Sequence, residues 1–353
     1  MSTWSLISDR PVHIDSYELE GLELQLGGDF TRLTTVITLH GNGETGIGED
    51  VTYDALDHVA QQDAGPFLRL AGDHTLASFS ELLGGLDMFP TPPEREVSRA
   101  YRQWGFESAA LDLALRQAGI GIEEALGREA RPLTFVNSMR LGGFGGASSI
   151  EPLTARLELY PGLRFKLDPA NDWDDELIAA LAATGAVDSL DLKGHYKGTP
   201  VDVETDPELY RKLLEAFPDA WIEDPDVNEE TRPILKPHAD RVTWDAPIHA
   251  IADIVAAPWK PKMVNIKPSR VGSLKELFDS YDYCADNGIR VYGGGQTELG
   301  PGRGHIQALA ALFHPDTPND VAPREYNEPG ARSGLPESPL APNLTPTGFR
   351  WAE

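Results

Sequence analysis

Five residues carry the chemistry this sequence offers: Lys166, Asp191, Glu223, Asp245 and Lys267. Each sits near the end of a short apolar stretch, in LRFKL, VDSLDLK, AWIEDP, RVTWDAP and MVNIKP. In a strand, neighbouring side chains point to opposite faces. Arg164 and Lys166, Asp191 and Lys193, Trp221 and Glu223, Thr243 and Asp245, and Asn265 and Lys267 therefore each share a face. Phe165, Leu192, Ile222, Trp244 and Ile266 point the other way, toward a helix layer. A single charged residue at a strand end is usually a solvated rim. Five in register are a different matter, because charges facing a narrow interior must be paired or bind an ion.

The order of signs is lysine, three carboxylates, lysine. Three carboxylates on consecutive strands can converge on one hard cation, and oxygen-only ligation favours Mg²⁺, or Mn²⁺, over zinc. The flanking lysines then approach a ligand on that cation from opposite sides. An ammonium that is partly desolvated and close to a cation has a lowered pKa and can serve as a base.

These side chains need a frame that brings strand ends together. From Leu133 onward, short apolar strands alternate with amphipathic helices: strands at 133–137, 163–167, 187–193, 220–225, 241–247, 263–268 and 289–295. TDPELYRKLLEAF offers Asp206 as helix cap and Pro207 as first helical residue, and SLKELFDSYDYCADNG stops at Gly288. Repeated strand–helix units predict a parallel sheet, and roughly 200 residues suffice to close it into an eight-fold barrel. The βα loops of such a barrel assemble at the C-terminal ends of the strands, where the charges lie. A stretch NDVAP supplies one further strand. Ahead of the barrel, residues 12–26 and 32–49 read as strands and residues 95–127 as helix.

Composition narrows the function classes. The chain has 353 residues, 41% hydrophobic and 24% charged, with a net charge of −26. An acidic surface of this kind repels nucleic acid and anionic membrane. No apolar run approaches the ~20 residues of a membrane span, and the first residues do not read as a secretory signal. The lone Cys284 precludes an internal disulfide, which suits a cytoplasmic setting.

Taken in order, these motifs resemble those of the enolase superfamily, and within it the muconate-lactonizing and mandelate-racemase-like proteins. RFKLD resembles the K-x-K strand, with Arg164 in place of the first lysine. LDLKGHY, WIEDP and VTWDAPI are similar to three successive metal-ligand strands, and NIKPSRVGSL to the K-x-x-R-x-G strand. GNGETGIGE and GFESAALDLALRQAGIGIEEALG are similar to parts of that superfamily's cap.

The resemblance implies an α/β fold: a modified TIM-type (β/α)7β barrel over residues 131–324 under an α+β capping domain of residues 1–130, completed by the tail 325–353. It implies a lyase or isomerase that removes the proton α to a carboxylate, with one Mg²⁺ (or Mn²⁺) stabilising the enediolate. Lys166 and Lys267 are then the catalytic bases, and Asp191, Glu223 and Asp245 the metal ligands. Racemisation or epimerisation, cycloisomerisation and an o-succinylbenzoate-synthase-like dehydration all remain open. So do a Schiff-base lysine aldolase and a barrel that has lost turnover. The partner is a small-molecule carboxylate, and barrels of this group often form homo-oligomers.

Two positions depart from the pattern. Lys193 stands where asparagine is usual, and Ala246 where glutamate is frequent. Lys193 contacts substrate, serves as a further acid, or pairs with a neighbouring carboxylate. Arg164, Lys193 and Asn265 are expected to meet substrate, together with Gln296 and Glu298 from the glycine-rich loop GGGQTELGPGRG. GNGETG also fits a dinucleotide fingerprint, but no helix is predicted to follow it, so a tight turn is the better account. Residues 22–31 are expected to form a specificity lid, with Phe30 as a contact.

Overall fold

The computed structural model describes residues 2–27, 30–143, 146–199, 201–328 and 330–352; at 26, 27 and 30 it describes the backbone only. The predicted lid at 22–31 thus lies partly outside the described residues, its Phe30 side chain included.

The N-terminal part comprises β1 (Pro11–Ile14), β2 (Ser16–Gly27), β3 (Phe30–Gly41), β4 (Glu44–Asp50), α1 (Ala55–Ala64), β5 (Gly72–Thr75), α2 (Leu76–Gly84), α3 (Ser98–Ala118) and α4 (Ile122–Leu126). Strands β2, β3 and β4 form an antiparallel meander, and β1 pairs with β5. The GNGETG segment is the β3–β4 hairpin. Asn42 (φ 51°) and Gly43 (φ 77°) make its two-residue turn, a backbone conformation that Asn-Gly adopts at little cost. Strand β4 continues as Gly46-Ile47-Gly48, and its period-two glycines face α3. A Cβ at Gly48 would lie 2.0 Å from the Gly105 carbonyl oxygen, so only glycine lets the strand lie this close to the helix. Helix α3 is buried along most of its length, including Trp104, Phe106, Leu111 and Leu115. It ends at Gly119 in the left-handed conformation.

The barrel follows as β6 (Asn137–Met139), α5 (Glu151–Leu159), β7 (Phe165–Leu167), α6 (Asp175–Ala183), β8 (Val187–Asp191), α7 (Pro207–Ala216), β9 (Trp221–Glu223), α8 (Arg232–Leu235), β10 (Val242–Thr243), α9 (Ile251–Ala256), β11 (Met263–Ile266), α10 (Pro268–Val271), α11 (Leu274–Asp286), β12 (Arg290–Gly293) and α12 (Gly302–Phe313). Strands β6 to β10 are parallel neighbours in sequence order, and β11 pairs in parallel with β12. The Asn265 amide donates to the Trp244 carbonyl and links β10 to β11. Asn319 and Asp320 form the eighth staves: Phe135 bridges to Asn319 and Gly294 to Asp320, closing the ring. Asp206 caps α7 through the amides of Glu208 and Leu209, with Pro207 at its first position.

The fold is therefore α/β, a modified (β/α)7β barrel with an antiparallel capping domain. The C-terminal segment crosses both parts. The Phe349 amide and the Arg350 guanidinium both reach Asp112 on α3 at 2.7 Å, and the Phe349 ring stacks on His305 of α12.

Candidate active site

The strand ends deliver their charges to one place. Lys166 follows Phe165 on β7, and its Nζ lies 2.5 Å from Glu223 Oε1, 3.1 Å from Asp191 Oδ2 and 3.5 Å from Asp320 Oδ2. Lys193, two residues beyond Asp191, places its Nζ 2.5 Å from the same Asp191 Oδ2 and 3.2 Å from Asp168 Oδ2. Lys267, at the end of β11, lies 2.9 Å from Asp245 Oδ2, and Arg270 holds Asp245 Oδ1 at 2.5 Å. Lys166, Asp191, Glu223, Asp245, Lys267 and Arg270 are buried, and Asp168, Lys193 and Asp320 are partly buried.

Charge counting decides what the site lacks. Asp168, Asp191, Glu223, Asp224, Asp245 and Asp320 face Lys166, Lys193, Lys267 and Arg270, so the carboxylates exceed the cations by two. The titration behaviour follows. Burial lifts Asp224 to about 7, with Asp245 and Asp191 adding to the rise. Burial also lifts Glu223 well above the usual range; Lys166 opposes this, but Asp191 and Asp245 reinforce it. Burial would lift Asp191 too, but Lys193 and Lys166 outweigh it and bring it down to about 2. Burial disfavours the Lys166 ammonium, yet Glu223, Asp191 and Asp320 carry its pKa well above the ordinary value.

Polar atoms without partners mark the same place. Glu223 Oε2 is buried with no hydrogen bond, and neither end of the buried Asn265 amide makes one. Such atoms are costly unless a ligand meets them. Space is kept beside them: a Cβ at Gly294 would lie 2.6 Å from Lys267 Cε and 2.8 Å from Asn265 Nδ2. Oxygens of Asp191, Glu223 and Asp224 lie within 4.8 Å of one another, close enough to share one ion. All are hard carboxylate donors, so the residues present fit a Mg²⁺-type cation.

Asp224 was not among the predicted ligands. Beside Glu223 in a strand it should face away, but its φ of 47° turns the chain at this point. Its two oxygens accept the amides of Asp245 and Ala246, both at 2.8 Å. Asp245 lies outside that tight trio, its oxygens taken by Arg270 and Lys267.

The other expected contacts divide. Asn265 and Lys193 join the cluster. Gln296 stands at its edge, donating to the Tyr101 hydroxyl of α3 at 3.2 Å. Glu298 points into the joint between cap and barrel, where it accepts the Gln296 amide and pairs with Arg303 at 3.0 Å. Arg164 does not join the site. Its guanidinium is half-exposed, paired with Asp188 and donating to the Gly185 carbonyl. Arg164 precedes β7, and it turns to Asp188, the residue of β8 that a register shift leaves without a partner on β7. Asp320, within the NDVAP stretch read as a strand, and Asp168, just past β7, also join the cluster, although neither was among the predicted site residues.

Among known proteins, the chain matches the model of the DUF8230 C-terminal domain, a domain of unknown function, over residues 129–328. It matches that of the DUF8230 N-terminal domain over residues 5–125. An o-succinylbenzoate synthase of Bacillus subtilis (strain 168) is 25% identical over 227 residues, 62% of this chain and 58% of that protein, so less than two thirds of that relative is matched. An o-succinylbenzoate synthase of Geobacillus stearothermophilus is 25% identical over 343 residues, 88% of this chain and 85% of the other. A dipeptide epimerase from Methylococcus capsulatus, solved with Mg and the dipeptide L-Arg-D-Lys, superimposes with a TM-score of 0.64 at 20% identity, covering 91% of this chain and 93% of that one. Among the described residues no helix is long and apolar enough to cross a membrane. The chain belongs to the DUF8230 family and has the capped-barrel fold of the enolase superfamily.

Proposed function

We propose that this protein is a divalent-metal-dependent lyase or isomerase that removes the proton α to a carboxylate of a small substrate. The observation that carries the reading is a site in which six carboxyl groups face four cations, flanked by Lys166 and Lys267. Asp191, Glu223 and Asp245 would hold the ion, with Mg²⁺ or Mn²⁺ suited to their oxygens. When bound, that ion supplies positive charge where the substrate carboxylate gains electron density.

The chain's own residues supply the rest. Lys166 Nζ and Lys267 Nζ would take and return the α-proton; Lys166 is paired with Asp191 and Glu223, the carboxylates that would hold the ion. Arg270 fixes Asp245, and Asp224 fixes the end of β10 through two backbone amides. The unpaired Asn265 amide offers both a donor and an acceptor to substrate. Tyr101, carried by the cap, helps close the mouth through Gln296.

The o-succinylbenzoate synthase relatives favour β-elimination of water, for which one lysine acts as base while the other stays cationic. A second reading, epimerisation at the α-carbon, is favoured by the second buried lysine, Lys267, beside its own carboxylate.

The test is deuterium incorporation from D₂O into a panel of carboxylates that includes o-succinylbenzoate precursors, N-succinylamino acids and dipeptides. Exchange should require Mg²⁺ or Mn²⁺, stop with EDTA, and fall by about 10²–10⁴-fold in K166A and K267A. Exchange that survives EDTA, together with borohydride trapping on a lysine, would instead indicate Schiff-base chemistry.

A further inference from the structure

Lys193 is placed as no simple rim residue would be. Its backbone has a φ of 54°, a left-handed conformation that a long side chain seldom adopts. Asp191 Oδ1 accepts Lys193's own amide at 3.2 Å, and its other oxygen takes the Lys193 ammonium at 2.5 Å. Lys166 shares that second oxygen at 3.1 Å. Asp191 therefore has both oxygens occupied, while Glu223 Oε2 beside it has no partner. A cation that takes Asp191 Oδ2 competes with both ammoniums for that oxygen.

The two lysines are not equally able to leave. Lys166 is 3% exposed, walled in by Glu223, Asp191 and Asp320. Lys193 is 13% exposed and already has a second carboxylate, Asp168, at 3.2 Å. Asp168 Oδ1 is buried with no hydrogen bond, so it has acceptor capacity to spare. Resting on the metal reading above, we propose that Lys193 is a tethered cation that competes with the divalent ion for Asp191. On loading it transfers to Asp168, where its charge faces the mouth and meets the incoming carboxylate. No bond is made or broken in the transfer; one ion pair is exchanged for another. Metal and anionic ligand are then positively coupled, because each favours the arrangement with Lys193 off Asp191.

The experiment is Mn²⁺ binding, read by the loss of the free-ion EPR signal at fixed pH and ionic strength, with no substrate present. Wild type is compared with K193M, K193N, D168N and the K193M/D168N double variant. Removing the tethered cation should tighten Mn²⁺ binding about tenfold or more in K193M, with K193N as the check if K193M folds poorly. D168N should weaken binding, because Lys193 loses its second seat, and this weakening should largely vanish in the K193M background. Equal or weaker binding in both Lys193 variants overturns the competition and leaves the metal reading standing. Equal weakening by D168N in both backgrounds overturns the transfer. Absence of Mn²⁺ binding from wild type and from both Lys193 variants overturns the metal reading itself, and the inference falls with it.

Discussion

Two clusters of buried charge in this molecule have opposite designs. In the cap, Asp50 and Arg102 are both fully buried, and the pair is closed on itself. Arg102 donates to Asp50, to the Met88 and Asp57 carbonyls, and lies 3.6 Å from the Phe89 ring centroid. Asp50 takes the Thr52 amide and hydroxyl on its other oxygen. Burial would lift Asp50, but Arg102 and His58 outweigh it and hold the carboxylate below its usual range. At the barrel mouth the carboxylates outnumber the cations, Asp191 is shared by two ammoniums, and Glu223 and Asn265 keep unpaired atoms. A cluster that satisfies every atom serves the fold. One left with a surplus charge and orphaned acceptors is held in place by the rest of the fold and is completed by what it binds.

The contrast can be broken most forcefully in the cap. R102M leaves Asp50 buried without a counter-charge and should cost about 3–5 kcal/mol of folding stability, measured by urea unfolding. A much smaller loss would show that the cap pair is not a structural keystone.

The same kind of truncation at the mouth should act in the other direction. E223Q keeps the shape of a carboxyl whose charged form burial already disfavours, so the metal-free protein should be as stable as wild type or gain on the order of 1 kcal/mol. Its Mn²⁺ binding and its response of Tm to Mg²⁺ should disappear. If E223Q instead unfolds the protein as R102M does, the two clusters are of one kind.

The third carboxylate can be settled by the pair D224N and D245N. D245N should lower Mn²⁺ affinity at least tenfold, about 1.4 kcal/mol, with D224N showing the smaller change. The reverse order would move the ligand role to Asp224, whose oxygens belong to the tight acidic trio.

Much of this was legible from alternation alone. A strand end in a barrel leaves a residue only two directions, so Lys166, Asp191, Glu223, Asp245 and Lys267 could be placed together without any knowledge of contacts. The same rule misplaced Arg164, because Arg164 lies just ahead of β7 and is drawn to Asp188, the extra residue on β8. It missed Asp224, where a positive φ turns a residue back that alternation sends away. Asp320 was hidden for another reason: NDVAP reads as a strand, but the eighth staves are isolated bridges at Asn319 and Asp320, and two residues give no alternation that would turn Asp320 toward Lys166. Glu298 shows what type and position cannot tell. It has the expected place near the loop, but Arg303 and the Gln296 amide claim it.

The closed regions should also differ from the mouth in how they respond to acid. His305 is fully buried under the Phe349 ring with neither ring nitrogen hydrogen-bonded, and burial, with Arg350 adding to it, brings its pKa down to about 3. The unfolded chain binds that proton near pH 6.5. Between these values the unfolded state holds more protons than the native state. The stability that His305 contributes is therefore complete above about pH 6.5 and declines as the pH falls toward 3, by about 1.4 kcal/mol per pH unit. Urea unfolding at pH 7, 6 and 5 isolates this contribution as the difference in slope between wild type and H305Q, since Glu223 and Asp224, both lifted by burial, add an opposite slope common to the two proteins. In H305Q the slope should be shallower by roughly one proton's worth, and the stabilities of H305Q and wild type should converge as the pH falls. An unchanged slope in H305Q would mean that the tail does not hold this histidine neutral. His314, likewise buried and brought down to about 4, would then be the next histidine to substitute.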